Sequence, residues 1–190
     1  QTFSANVTTS GNQTYTAAGG IVTSGARTFE GDTINFASAL SGDNNVTVTG
    51  NADIDGAITD IAVLAISGTS NIGADITTSD TQTYTGAVTL SAAVTLTSSG
   101  DVITFSNTVN SADSTNRNLT VATGGNTVHI NFDGIVGEGE GLGAIALTGV
   151  LDLNAAIADA NSLTVSGASL LDADVTTSGN QTYSGAITIS

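Results

Sequence analysis

Cysteine, proline, methionine, tryptophan and lysine do not occur in this chain, and arginine occurs twice, at Arg27 and Arg117. Without cysteine there are no disulfides and no thiolate metal sites. Two cations face 17 carboxylates, for a formal net charge of −15. Nothing is left to neutralise phosphates, so neither nucleic acid nor an anionic membrane surface is expected as a partner. No apolar run approaches the length of a membrane span, and no membrane insertion is expected. The chain is nevertheless too apolar for an acidic disordered segment: 39% of its residues are hydrophobic and mean hydropathy is +0.22. No signal peptide is visible, since Gln1 to Ala5 already reads as repeat sequence, and the last residues, Ser184 to Ser190, stop inside a repeat unit. The sequence therefore reads as a mature or excised piece of something longer.

Repetition is what fills the chain. One phrase occurs three times: Val7-Thr8-Thr9-Ser10-Gly11-Asn12-Gln13-Thr14-Tyr15, Ile76-Thr77-Thr78-Ser79-Asp80-Thr81-Gln82-Thr83-Tyr84, and Val175-Thr176-Thr177-Ser178-Gly179-Asn180-Gln181-Thr182-Tyr183. The copies define super-repeats over about 7–75 and 76–174, a third beginning at 175, within one continuous unit spanning 1–190. A shorter word, apolar-small-apolar-hydroxyl-glycine, fills the gaps at Val46, Leu64, Ile145 and Leu163, with a step of 18 inside each pair and a further strand-like word 24 on, at Val88 and Ile187. Steps of this size mark a solenoid, in which each unit buries its apolar face only against its neighbours.

The words alternate apolar residues with Thr, Ser or Asn, the period of strands with one buried face, and β-branched residues dominate them. Ser-Gly, Gly-Asp and Asp-Gly pairs between them turn the chain. Strands this short find partners for every backbone group if each turn lies on the one before, superposing like words in parallel ladders. The expected fold is all-β, a single-stranded parallel β-helix with coils of about 18–24 residues. At roughly 4.8 Å per rung, about eight to ten rungs make a rod on the order of 40–50 Å long. The alanine-bearing stretch from Leu151 to Leu163 is read as a rung rather than a helix, because its ends fall on the solenoid step. The second super-repeat is longer than the first, and an insertion over about 124–144 accounts for much of the surplus.

The phrase from Thr176 to Ile189 resembles repeats of filamentous-haemagglutinin-like bacterial surface adhesins, exported by two-partner secretion, and of their autotransporter relatives. The resemblance covers essentially the whole chain. It implies a right-handed β-helix, an extracellular place on the bacterial cell surface, and a structural or adhesive role. The family's secretion domain carries Asn-Pro motifs, which a chain without proline cannot contain.

Chemistry is sparse. Polysaccharide-cleaving β-helices cluster acids with cations, whereas here the two arginines lie 90 positions apart and His129 is the single histidine. No enzyme, no catalytic residue and no cofactor is expected. Calcium is the one cation the sequence offers a foothold, through Asp53 with Asp55 and Asp172 with Asp174. Turn aspartates account for both pairs without it, and no metal ligand is assigned. Thr47/Thr49, Thr83/Thr85 and Thr95/Thr97 are the candidates for an ice-binding plane, but they do not recur on each turn. Five Asn-x-Thr sequons, at Asn6, Asn12, Asn45, Asn118 and Asn180, could take sugar only where a transferase exists. The expected function is a structural solenoid in a surface fibre, stalk or adhesin shaft. Its partners would be other copies or flanking repeats, stacked end to end. The alternatives are a module recognising cell-surface glycans through 124–144, with Glu138 and Glu140, and a polysaccharide-active enzyme.

Overall fold

The computed structural model describes residues 1–125 and 129–190, and every strand pairing within them is parallel. The chain is a β-solenoid of about ten turns, with no helix among the described residues. A typical turn carries three short strands. Face I begins with Thr2–Phe3, Ile21–Thr23 and Leu40–Ser41 and continues through Ile76–Thr78, Val94–Ser98 and Leu119–Ala122. Face II includes Leu64–Ile66, Gln82–Tyr84, Ile103–Phe105 and His129–Phe132. Face III includes Gln13–Tyr15, Ser70–Ile72, Val88–Leu90 and Val109–Ser111. In two early turns, faces II and III run as one strand, Arg27–Phe36 and Val46–Ile54, shifting register between Glu30 and Thr33.

Alternation sorts the side chains as the sequence predicts. Val46, Val48, Leu64 and Ile66 point in and are buried, while Thr47 and Ala65 between them are partly exposed. Face II stacks Phe29, Val48, Ile66, Tyr84, Phe105, Phe132 and Leu153 one above another through successive ladders. Tyr84, Phe105 and Phe132 form a parallel aromatic column, with ring centroids 5.2 and 5.0 Å apart. The words end in glycine because the corners stack as well. A Cβ on Gly68 would lie 2.5 Å from the Gly50 carbonyl oxygen, and one on Gly86 would lie 2.4 Å from that of Gly68.

Three details depart from expectation. Coil length reaches beyond 24: Val94 pairs with Leu119, Leu119 with Ile145 and Ile103 with Ile130, steps of 25 to 27 residues. The step of 24 from Leu64 to Val88 is a turn plus one face, since Leu64 pairs with Gln82 and Val88 with Ser70. Nor do the three long phrases superpose. Tyr15 lies on face III, Tyr84 on face II and Tyr183 on face I, where it pairs with Val165. The repeating unit is one strand and its corner, so a phrase can start on any face. The stretch from Leu151 to Leu163 is strand, Val150–Leu153 and Ile157–Val165.

Candidate functional site

The long phrase builds a corner held by a polar chain. In the second copy Tyr84 Oη donates to Gln82 Oε1 at 2.9 Å. Gln82 Nε2 donates to Thr78 Oγ1 at 3.2 Å and to the Thr97 carbonyl of the next turn at 2.8 Å. Thr78 Oγ1 in turn donates to the Asp80 carbonyl at 2.6 Å. Tyr84 and Gln82 are fully buried, and burial raises the Tyr84 phenol above its ordinary value. The first copy repeats the arrangement with Tyr15, Gln13, Thr9 and the Glu30 carbonyl. In the third, Tyr183 and Gln181 bond each other, but Gln181 Nε2 turns to the Val175 carbonyl instead. Conserving these three side-chain types at fixed spacing satisfies buried polar atoms, and the phrase is structural.

The surface departs from the plain rod where faces III and I meet in the wide coils. Residues 112–118 bulge between Val109–Ser111 and Leu119–Ala122, and residues 137–141 bulge one turn later, between Val136 and Leu142–Thr148. The two bulges are tied together. Ser111 Oγ donates to the Gly141 carbonyl at 2.8 Å, and Ser111 N donates to the Glu140 carbonyl at 3.1 Å. Gly143 N donates to the Arg117 carbonyl at 2.8 Å, and Asn116 Nδ2 reaches both the Leu142 carbonyl, at 3.4 Å, and Asn161 Oδ1, at 3.2 Å. Gly137, at φ 75°, fits because a Cβ there would lie 2.1 Å from the Asp159 carbonyl oxygen.

On this ridge Arg117 pairs with Asp113 at 3.0 Å. The Thr115 backbone N–H bonded to Asp113, then the Thr115 hydroxyl, then the Arg117 charge hold that carboxyl below its usual range. Glu138 and Glu140 are exposed, and their carboxylates have no hydrogen-bond or ion-pair partner among the described residues. The ridge thus offers carboxylates, amides and one guanidinium to solvent, a set suited to a ligand rich in hydroxyls.

The structure separates the other candidates. His129 lies on face II with its Nδ1 3.6 Å from Asp152 Oδ2, away from Glu138 and Glu140 at the corner. Asn126 to Val128, in the stretch 124–144, lie outside the described residues. The remainder of that stretch supplies the strand His129–Phe132 and the bridge at Val136, so it forms a turn as well as a loop. The bulge at 112–118 is missed in the sequence reading. Its signal is a break in alternation between Ser111 and Leu119.

Asp53 sits on face III in a ladder of amides: Asn35 Nδ2 donates to its Oδ2 at 2.6 Å and Asn71 Nδ2 to its Oδ1 at 2.9 Å. Asp55 accepts from the same Asn35 nitrogen at 3.2 Å. Asp172 follows a face II strand and accepts the Ser190 hydroxyl, so the two aspartate pairs belong to different faces. Among the described residues no three His, Cys, Asp or Glu side chains are grouped as a metal site. The threonine pairs belong to longer files than their spacing suggests. Thr28, Thr47, Ala65, Thr83 and Thr104 stack on face II, and Thr95, Thr120, Ala146, Thr164 and Thr182 on face I. No protein-family model, curated protein or solved structure matches the chain.

Proposed function

We propose that this chain is a length of an extracellular shaft, fibre or stalk on a bacterial surface, extended by rungs stacked end to end. The carrying observation is the continuous stack of parallel rungs: Phe29, Val48, Ile66, Tyr84, Phe105, Phe132 and Leu153 form one buried column in which each turn covers the one before. Further rungs, from flanking repeats or a second copy, would extend the same ladders. Electron microscopy and sedimentation of the purified chain test the self-associating form: filaments growing with concentration are expected, and a monomer persisting at high concentration would count against it.

A second reading, recognition of cell-surface glycans, is favoured by the ridge at 112–118 and 137–141, where exposed polar groups gather at one corner. Replacing residues 137–141 by a short corner should abolish glycan or cell binding and leave the circular dichroism of the rod unchanged. Binding that survives the replacement removes this reading.

A further inference from the structure

Face I of the later coils is more regular than its sequence suggests. Thr95, Thr120, Ala146, Thr164 and Thr182 form one outward file, paired residue to residue through four successive ladders, although the coils between them shorten from 25 or 26 residues to 18. Two residues further along the strands runs a second file, Thr77, Thr97, Ala122 and Thr148. Ser166 and Ser184 stand at the same distance after Thr164 and Thr182. Every rung from Thr95 to Thr182 therefore keeps at least one threonine, and where one file has alanine the other has a hydroxyl. Leu96, Val121, Leu147 and Val165, buried beneath these rungs, fix the backbone that carries them.

Three properties set this grid apart from the rest of the surface. Its hydroxyls are uncommitted: among the described residues, no threonine Oγ1 in the two files bonds to the protein. On face III, by contrast, Thr69 Oγ1 bonds to Asn51 Oδ1 at 3.0 Å, and the Asn35, Asp53 and Asn71 side chains bond one another. The grid is also uncharged, since neither file holds a carboxylate or a cation in a chain of net charge −15. Face II begins alike with Thr28, Thr47, Ala65, Thr83 and Thr104, but runs on into Asn131 and Asp152. Finally, the spacing is set by the backbone: neighbours within a file lie about 4.8 Å apart, and the two files about 6.6 Å apart.

We propose that face I of the later coils is an ice-binding plane. A soluble ligand has no use for register held over five turns, whereas a crystal does. Oxygens on the faces of hexagonal ice repeat at closely similar spacings in two directions, so water held on one rung is in step with water on the next. Each threonine hydroxyl offers one donor and two acceptor sites to that lattice. Its methyl group, like those of Ala122 and Ala146, restricts the orientations open to the water between rungs. Branching at Cβ limits χ1, so little side-chain freedom is lost on contact. A carboxylate on the plane would shed its hydration against a solid that admits no ions, and the files hold none. This inference is independent of whether the rod extends end to end and of what the ridge recognises.

The test grows ice slowly on a cold finger from a stirred solution of the purified chain, with an acidic protein that binds no ice in the same vessel. The chain is expected in the ice fraction while the other protein stays in the liquid, and a polycrystalline ice film containing the chain should stop coarsening. Thr120→Glu combined with Thr164→Glu puts charge on the plane at two outward positions. That variant should return to the liquid with its circular dichroism unchanged. Thr47→Glu, on face II, should enter ice as the unaltered chain does. Exclusion of the unaltered chain from ice, entry of the folded Thr120 and Thr164 double variant, or exclusion of Thr47→Glu would overturn the proposal.

Discussion

Two stretches of the rod differ in coil length and hardly at all in core. From Val46 to Leu90 the partners are 18 residues apart, as in Val46 with Leu64, Leu64 with Gln82 and Ser70 with Val88. From Val94 to Ile145 they are 25 to 27 apart along faces I and II. Yet Leu96, Val121 and Leu147 stack as regularly as Val48, Ile66 and Tyr84, and five of these six are at most 1% exposed. Among the described residues the surplus goes into corners, at 112–118 and 137–141. Ladder register is thus set by inward side chains, and the chain between them can lengthen outward at little cost to the column.

That contrast can be broken at the core the two stretches share. Phe105 lies between Tyr84 of the short coils and Phe132 of the long ones, fully buried. Phe105→Ala should cost about 3–5 kcal/mol in chemical denaturation and loosen both stretches. Next come the corners, where the two should diverge. Gly68→Ala forces a Cβ to within 2.5 Å of a backbone carbonyl, whereas a Cβ on Gly139 would meet nothing within 4 Å. A loss on the order of 2–3 kcal/mol is expected for the first and nearly none for the second. Equal losses would show that long corners are as tightly packed as short ones.

Removing one hydroxyl gives a smaller effect. Tyr84→Phe leaves the buried Gln82 Oε1 without its donor and should cost roughly 1–2 kcal/mol. Tyr84 also confers pH dependence of known sign. Its folded pKa is raised by burial, so below the ordinary tyrosine value it is neutral in both states and its contribution is fully present. Above about pH 10 the unfolded chain ionises first, and stability falls by roughly 1.4 kcal/mol per pH unit for this group. Denaturation midpoints measured from pH 8 to 11 should show this decline, reduced in Tyr84→Phe. The smallest change belongs to the long-coil ridge. Asp113→Asn removes an exposed ion pair and should leave the midpoint within experimental error at neutral pH.

The alternation of Val46-Thr47-Val48 or Leu163-Thr164-Val165 is enough to place every inward side chain, and the step of 18 is enough to pair them. The ridge was only half legible. Gly137-Glu138-Gly139-Glu140-Gly141 announces a loop by composition, but residues 112–118 resemble any polar turn, and only Ser111 bonding across to Gly141 makes them one surface.

Which side chains face inward is decided within each strand, since successive residues point to opposite sides whatever the strand packs against. Sequence alone therefore settles the buried set, the parallel stacking and the acidic, amide- and hydroxyl-rich exterior. The face on which each phrase lands is another matter. Tyr15, Tyr84 and Tyr183 occupy three different faces because every residue added at a corner shifts all later strands around the axis, and that accumulated rotation exists only once the whole chain has wound.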